Sequence, residues 1–342
     1  MALDWLKDAR VLITGHTGFK GAWLSALLSY LEVPFAGLSD TFIDPSLYSH
    51  TGSMGAHQEF WGDVADPAIV NAALQEFSPT IVVHLAAESL VFRALSDPRR
   101  TWRTNVLGTA TILDALSNVA SPPAAVLVVT SDKCYDLSSS TTPRRETDVL
   151  GGDDPYSASK AAAELVVRSW PFPGQTAVAT VRGGNVIGGG DTSPYRLVPD
   201  FYRALASGEA LAVRNVAGVR PWQDVRDCLY AYLSVTERLI AGEWPYKAIN
   251  VGPPGSHEVT VGTLVDSLRT LHPEVRVNTA HGNEVEHARL LLNTDALRDA
   301  ITLPEPVPID TMISDADAVY AVMARGGDVG AVLRSQWMEY LP

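Results

Sequence analysis

The run Val11-Leu12-Ile13-Thr14 is unbroken apolar sequence ending directly in Gly15-His16-Thr17-Gly18-Phe19-Lys20-Gly21. Four β-branched or aliphatic residues with no polar alternation read as a strand buried on both faces. Glycines at 15, 18 and 21 allow a tight turn, close backbone approach to a pyrophosphate, and close packing of the helix that follows over residues 21–31. The helix start then presents its positive end to the phosphates. A chain that begins this way must return through a crossover, because parallel strands cannot be joined by a hairpin.

The alternation continues. Residues 34–39, 81–85, 125–130 and 177–182 read as strands, and residues 98–116 and 155–168 as helices. The expected fold is α/β, a Rossmann-type doubly wound parallel sheet with a smaller, discontinuous α/β substrate-binding lobe. Beyond Gly188-Gly189-Gly190 the pattern turns irregular and proline-rich. The division read from this is residues 1–187 plus about 222–251 for the dinucleotide lobe, and about 188–221 plus 252–342 for the other.

Asp40 lies about twenty residues beyond the glycines, after the second strand. A carboxylate there accepts hydrogen bonds from an adenosine ribose and repels a 2′-phosphate, which favours NAD over NADP. Asp63-Val64 offers a comparable position for the adenine amino group.

Thr130-Ser131-Asp132-Lys133 continues an apolar strand with a hydroxyl, a carboxyl and an amine. Polar residues in that place are costly unless they line a cavity, and strand ends are where ligands bind in open α/β sheets. Tyr156 and Lys160 are spaced i, i+4, so they share one helix face. A neighbouring ammonium favours the phenolate and makes Tyr156 a candidate general base for a hydroxyl. Burial would favour both a protonated Asp132 and a neutral Lys133, while their mutual attraction opposes both shifts.

The formal net charge is −13 with no basic cluster, which argues against nucleic acid and anionic membrane as partners. No apolar run approaches the length of a membrane span. Cys134 and Cys228 have no metal-like or CxxC spacing. A cytoplasmic enzyme or binding protein without a metal is expected.

Taken together, the glycine signature, Thr130-Ser131-Asp132-Lys133-Cys134-Tyr135, Asp154-Pro155-Tyr156-Ser157-Ala158-Ser159-Lys160, Arg182 to Asp191 and Arg220 to Val225 resemble the extended short-chain dehydrogenase/reductase superfamily. Within it they are most similar to the CDP-glucose 4,6-dehydratase family, as far as about Val225. The resemblance implies that Tyr156, with Ser131 and Lys160, removes a hydroxyl proton while NAD takes hydride from sugar carbon 4. It implies that Lys133 is the base at carbon 5, that Asp132 is the acid for the departing hydroxyl, and that hydride returns to carbon 6. Gly15, Thr17, Gly18, Phe19, Gly21, Asp40, Asp63, Val64, Leu85, Ala86, Ala87, Tyr156 and Lys160 are the implied cofactor residues. Glu88, Asn105, Asn185, Arg196, Leu197, Arg220 and Arg289 are the implied nucleotide-sugar residues. A homodimer, or a tetramer, is implied through residues 101–116 and 157–167.

The chain departs from this pattern at His84-Leu85-Ala86-Ala87-Glu88-Ser89-Leu90-Val91-Phe92-Arg93, where Phe92 stands in the place of an arginine and Ala-Ala-Glu-Ser is closer to dTDP-glucose 4,6-dehydratases. Residues 137–142 and 286–293 also differ. A 5,6-dehydratase could use the same acid and base, an epimerase would need only the Tyr–Lys pair, and a non-catalytic NAD-binding protein would need neither.

Overall fold

The structure is a computed structural model and describes residues 3–137, 142–172, 176–254, 257–279 and 290–341. Its strands are β1 (Val11–Thr14), β2 (Phe35–Ser39), β3 (Gln58–Trp61), β4 (Ile81–His84), β5 (Ala125–Ser131), β6 (Ala177–Gly183), β7 (Asn185–Ile187), β8 (Leu211–Val213), β9 (Val219–Asp224), β10 (Ala248–Val251), β11 (Glu258–Thr260) and β12 (Val277–Thr279). Seven of them form one sheet in the order β10-β6-β5-β4-β1-β2-β3. Every pairing in it is parallel.

The unbroken apolar strands have the expected cause. Val11 and Ile13 face one core, against the helices Phe19–Tyr30 and Val225–Ile240, while Leu12 faces the other with the helices Pro67–Phe77 and Gly108–Ala115. A strand covered on both sides has no solvent face to alternate toward. The strand order reverses between β1 and β4, and the C-terminal ends of the strands around that reversal open a crevice.

The second lobe is built from a three-stranded sheet, β11-β9-β7, and a parallel pair, β12-β8. The helices Leu197–Ser207, Val261–Leu271 and Ile309–Ala324 enclose its core of Phe201, Leu264 and Met312. Two boundaries read from the sequence need correction. Residues 185–187 and 219–224 pair with each other, so β7 and all of β9 belong to the smaller lobe's sheet. The last helix, Val329–Tyr340, instead packs on the dinucleotide lobe, where the Trp337 indole donates to the Trp23 carbonyl at 3.1 Å. The segment around helix Val225–Ile240 and β10 does rejoin the large sheet, with Ala248 paired to Thr180.

Beneath the crevice lies a buried ionic network. Glu164, one turn beyond Lys160, accepts from Arg182 Nη2 at 2.7 Å and from the hydroxyls of Thr130 and Thr180. Arg182 also donates to Tyr135 at 2.8 Å, and Tyr135 to Asn250 at 2.6 Å. The network ties the helix Pro155–Ser169 to β5, β6 and β10. Removing one partner of such a pair strands a buried charge. Arg182→Met should therefore cost about 3–5 kcal/mol of unfolding free energy, measured by urea denaturation, with part recovered in the Glu164→Gln/Arg182→Met double variant. A loss under about 1 kcal/mol would contradict this account. No helix among the described residues is long and apolar enough to cross a membrane.

Candidate active site

A cleft of about 750 Å³ lies between the large sheet's C-terminal edge and the smaller lobe. Each strand end contributes a segment: Gly15 to Gly21 after β1, Asp40 after β2, Gly62 to Val64 after β3, Leu85 to Glu88 after β4, Ser131 to Lys133 closing β5, and Gly183 to Asn185 after β6.

The glycine turn is built for close approach. Gly15 has φ +76°, and a Cβ there would lie 2.8 Å from the Ala86 nitrogen. A Cβ on Gly21 would come within 2.2 Å of the Gly15 carbonyl oxygen. Gly18 caps the helix Phe19–Tyr30 without any side-chain hydrogen bond, so its first-turn N–H groups are left for an anion. His16, buried under the turn, bonds Ser39 at 3.0 Å and Glu59 at 2.9 Å and fixes the turn to β2 and β3. Thr17 donates to the Thr41 carbonyl at 2.8 Å.

Asp40 and Asp63 both reach the cleft, each already engaged by an arginine: Arg100 Nη2 lies 2.8 Å from Asp40 and Arg103 Nε 2.6 Å from Asp63. Burial would raise the Asp63 pKa, but the Ala65 N–H and Arg103 outweigh it and hold the carboxylate below its usual range. An uncapped helix start at the glycine turn, with carboxylates at the ends of the next two strands, is a set of donors and acceptors that fits an adenine dinucleotide.

At the other end, Asp154 caps the helix Pro155–Ser169, accepting from Tyr156 N at 2.9 Å and Ser157 N at 3.0 Å. Pro155 at the first position suits this helix start. Tyr156 is thereby placed in the first turn, in the same cleft as Ser131. The Ser131 hydroxyl donates to Asp132 Oδ1 at 2.8 Å and accepts from Lys133 N at 3.2 Å. Lys160 Nζ donates to the Val129 carbonyl at 3.1 Å.

Burial is the largest cause of the shift at each of three ionisable groups here. It raises the Asp132 carboxyl against the opposing pull of the Ser131 hydrogen bond and of Lys133 and Arg220. It pushes the Tyr156 phenol up to about 12, so burial outweighs the lowering expected from the lysine's position on the helix. Burial, then repulsion from Lys20, brings Lys160 down to about 8. Lys20 itself, from the glycine turn, donates to the Tyr232 hydroxyl at 3.1 Å.

Asn185, Arg196, Leu197 and Arg220 line the wall given by the smaller lobe. Arg196 is paired to Asp191 at 3.0 Å. Asn105 is not a cleft residue: it is buried in the π-turn Arg103–Leu107, where it accepts from Glu88 N at 2.8 Å and donates to the Glu88 carbonyl and to Ser159. It positions the Glu88 segment against the helix that carries Tyr156. Glu88 reaches the cleft, but its carboxylate is bound to Arg100 Nε at 2.6 Å. Arg289 lies outside the described residues. Reading the sequence missed Lys20, Arg100 and Arg214 as cleft residues. Phe92 packs at 4.3 Å on Tyr195, with Arg214 over its ring at 5.2 Å, so an aromatic pair stands where the resemblance puts an arginine.

The family model described as the NAD dependent epimerase/dehydratase family matches residues 11–252. The chain is 38% identical over 279 residues to a CDP-glucose 4,6-dehydratase of Salmonella typhimurium, covering 78% of this chain and 77% of that one. Among solved structures it is similar to a UDP-glucose-4-epimerase of Stenotrophomonas maltophila with bound NAD, with TM-score 0.81, 18% identity and coverage of 93% and 100%. It is also similar to the dTDP-glucose 4,6-dehydratase DesIV of Streptomyces venezuelae with NAD bound, with TM-score 0.76, 24% identity and coverage of 93% and 98%.

Proposed function

The chain belongs to the NAD dependent epimerase/dehydratase family, and we propose that within it the chain is a nucleotide-sugar 4,6-dehydratase acting on a CDP-glucose-like substrate. The observation that carries this reading is the Asp132 carboxyl, raised by burial and hydrogen-bonded by Ser131, in one cleft with the Tyr156 phenol and with Lys133 next in the chain. Epimerisation needs the phenol and lysine but no acid for a departing hydroxyl.

Bound NAD would supply a reversible hydride acceptor, for removal of hydride at carbon 4 and its return at carbon 6. The glycine turn, Asp40 and Asp63 would hold it. Tyr156 removes the carbon 4 hydroxyl proton; burial opposes its phenolate, and the cationic Arg196 favours it. The new ketone acidifies carbon 5, whose proton passes to Lys133. Asp132 protonates the carbon 6 hydroxyl as it leaves, and Lys133 restores the carbon 5 proton. The proton lost at carbon 4 equals the one carried off in water. Ser131, which shares the cleft with Tyr156 and donates to Asp132, offers it a path from base to acid.

The sheet-bearing lobe holds the cofactor and the smaller lobe the nucleotide sugar. Asn185, Leu197 and the guanidinium groups of Arg196 and Arg220 face that side, and forked donors suit a diphosphate. Incubation with the CDP, dTDP, GDP and UDP forms of glucose should give a product lighter by one water, with no net reduced cofactor, by mass spectrometry. A methyl signal in proton NMR marks hydride return to carbon 6, and an exocyclic alkene would replace this reading by 5,6-dehydration. No water loss from any of the four would sink it.

A homodimer belongs to the same reading. Leu95, Trp102, Leu107 and Leu165 remain exposed on neighbouring helices, and apolar surface of this kind marks a contact face. Replacing Leu107 and Leu165 by Arg should yield monomers by light scattering, and a monomeric parent chain would remove the proposal. A cytoplasmic location also belongs here, since Cys134 and Cys228 are free, buried thiols.

A further inference from the structure

Arg100 makes a two-armed contact across the mouth of the cofactor cleft. Its Nη2 lies 2.8 Å from Asp40 Oδ2 and its Nε 2.6 Å from Glu88 Oε1. Asp40 follows β2 and Glu88 follows β4, and in the sheet these strands flank β1. The guanidinium therefore spans the end of β1, directly over the side of the crevice where the glycine turn sits.

Resting on the NAD reading above, we infer that Arg100 is a cofactor-retaining residue, a strap that holds the dinucleotide in the cleft by joining Asp40 to Glu88. Both anchors are braced. The Arg100 amide donates to Asp97 Oδ1 at 3.0 Å, fixing the first turn of the helix Pro98–Trp102. The Glu88 backbone is clamped on both sides by Asn105, which also bonds Ser159 on the helix of Tyr156. Three residues on, and so on the same helical side, Arg103 takes Asp63 in the same way at 2.6 Å. One helical segment thus hooks both carboxylates assigned to the adenosine.

An isolated exposed ion pair contributes little, but a forked guanidinium in a network is the case where such contacts count. Asp40 spends only Oδ2 on Arg100, so a ribose can share the carboxylate. Arg100 and Arg103 also offset three carboxylates that would otherwise repel a diphosphate. Only an arginine can bridge this way, since a lysine ammonium lacks the planar fork. Retention suits a reaction that returns its hydride, because the cofactor has no need to leave.

The test loads the full-length protein with NAD and follows release into excess unlabelled NAD. Arg100→Met should release NAD about tenfold faster and bind it correspondingly more weakly. Arg100→Lys, which keeps the charge but loses the fork, should release about threefold faster. Added salt should quicken release from the parent chain and have little effect on Arg100→Met. The melting temperature of the cofactor-free protein should not move, because the side chain is half-exposed. Release from Arg100→Met within about twofold of the parent, or slower than it, would overturn the strap. A parent chain that binds no NAD would instead overturn the cofactor reading itself.

Discussion

Asp132→Asn is expected to accumulate reduced cofactor from a nucleotide sugar while forming almost no dehydrated product. The amide fills the same space and still accepts from Ser131, but it has no acid proton to give. Loss of a positioned general acid costs about 10²–10⁴ in rate, so water loss should fall by that factor while oxidation at carbon 4 proceeds. The check is reduced-nicotinamide absorbance followed beside mass spectrometry of the product. The parent chain should also show a falling limb as pH rises. Burial raises the Asp132 carboxyl, so the competent protonated form is present at lower pH and is lost as pH passes the raised value. That limb should be missing in Asp132→Asn. Product formation within about threefold of the parent would remove Asp132 as the acid.

Tyr156→Phe should stop the reaction one step earlier, with neither reduced cofactor nor product. The ring is buried and phenylalanine keeps its size and shape, so stability should change little. Turnover should fall by about 10²–10⁴, the usual worth of a general base. Loss of both signals in one variant and of only the second in the other separates the two proton transfers. A non-catalytic NAD-binding protein would be indifferent to Tyr156→Phe. Turnover that survived this change would therefore favour that alternative.

Much of the fold was legible because the signals are short-range. The strand from Val11 and its glycine turn, the strand reaching Ser131, and the helix bearing Tyr156 and Lys160 each occupy one stretch of chain, and the structure has all of them within a residue or two. The smaller lobe was harder to read. Its strands β7, β8, β11 and β12 have three residues each and lie far apart in the chain, too short for a period to declare itself. Asn105 read as a substrate contact because its residue type and the resemblance agreed. The π-turn that directs it inward has no pattern of its own.

The same contrast holds at the site. Residue order alone established which groups stand at the strand ends: glycines after β1, Asp40 after β2, Ser131, Asp132 and Lys133 at the close of β5. Spacing along a strand or helix is a local geometric rule, so it survives without knowledge of the fold. What these groups are able to do was decided by tertiary structure. Arg100 meets Asp40 across sixty residues of chain, and the Asp132 carboxyl is raised because the folded chain buries it. Desolvation and ion pairing sum over everything nearby in space, and that neighbourhood exists only once the chain has folded.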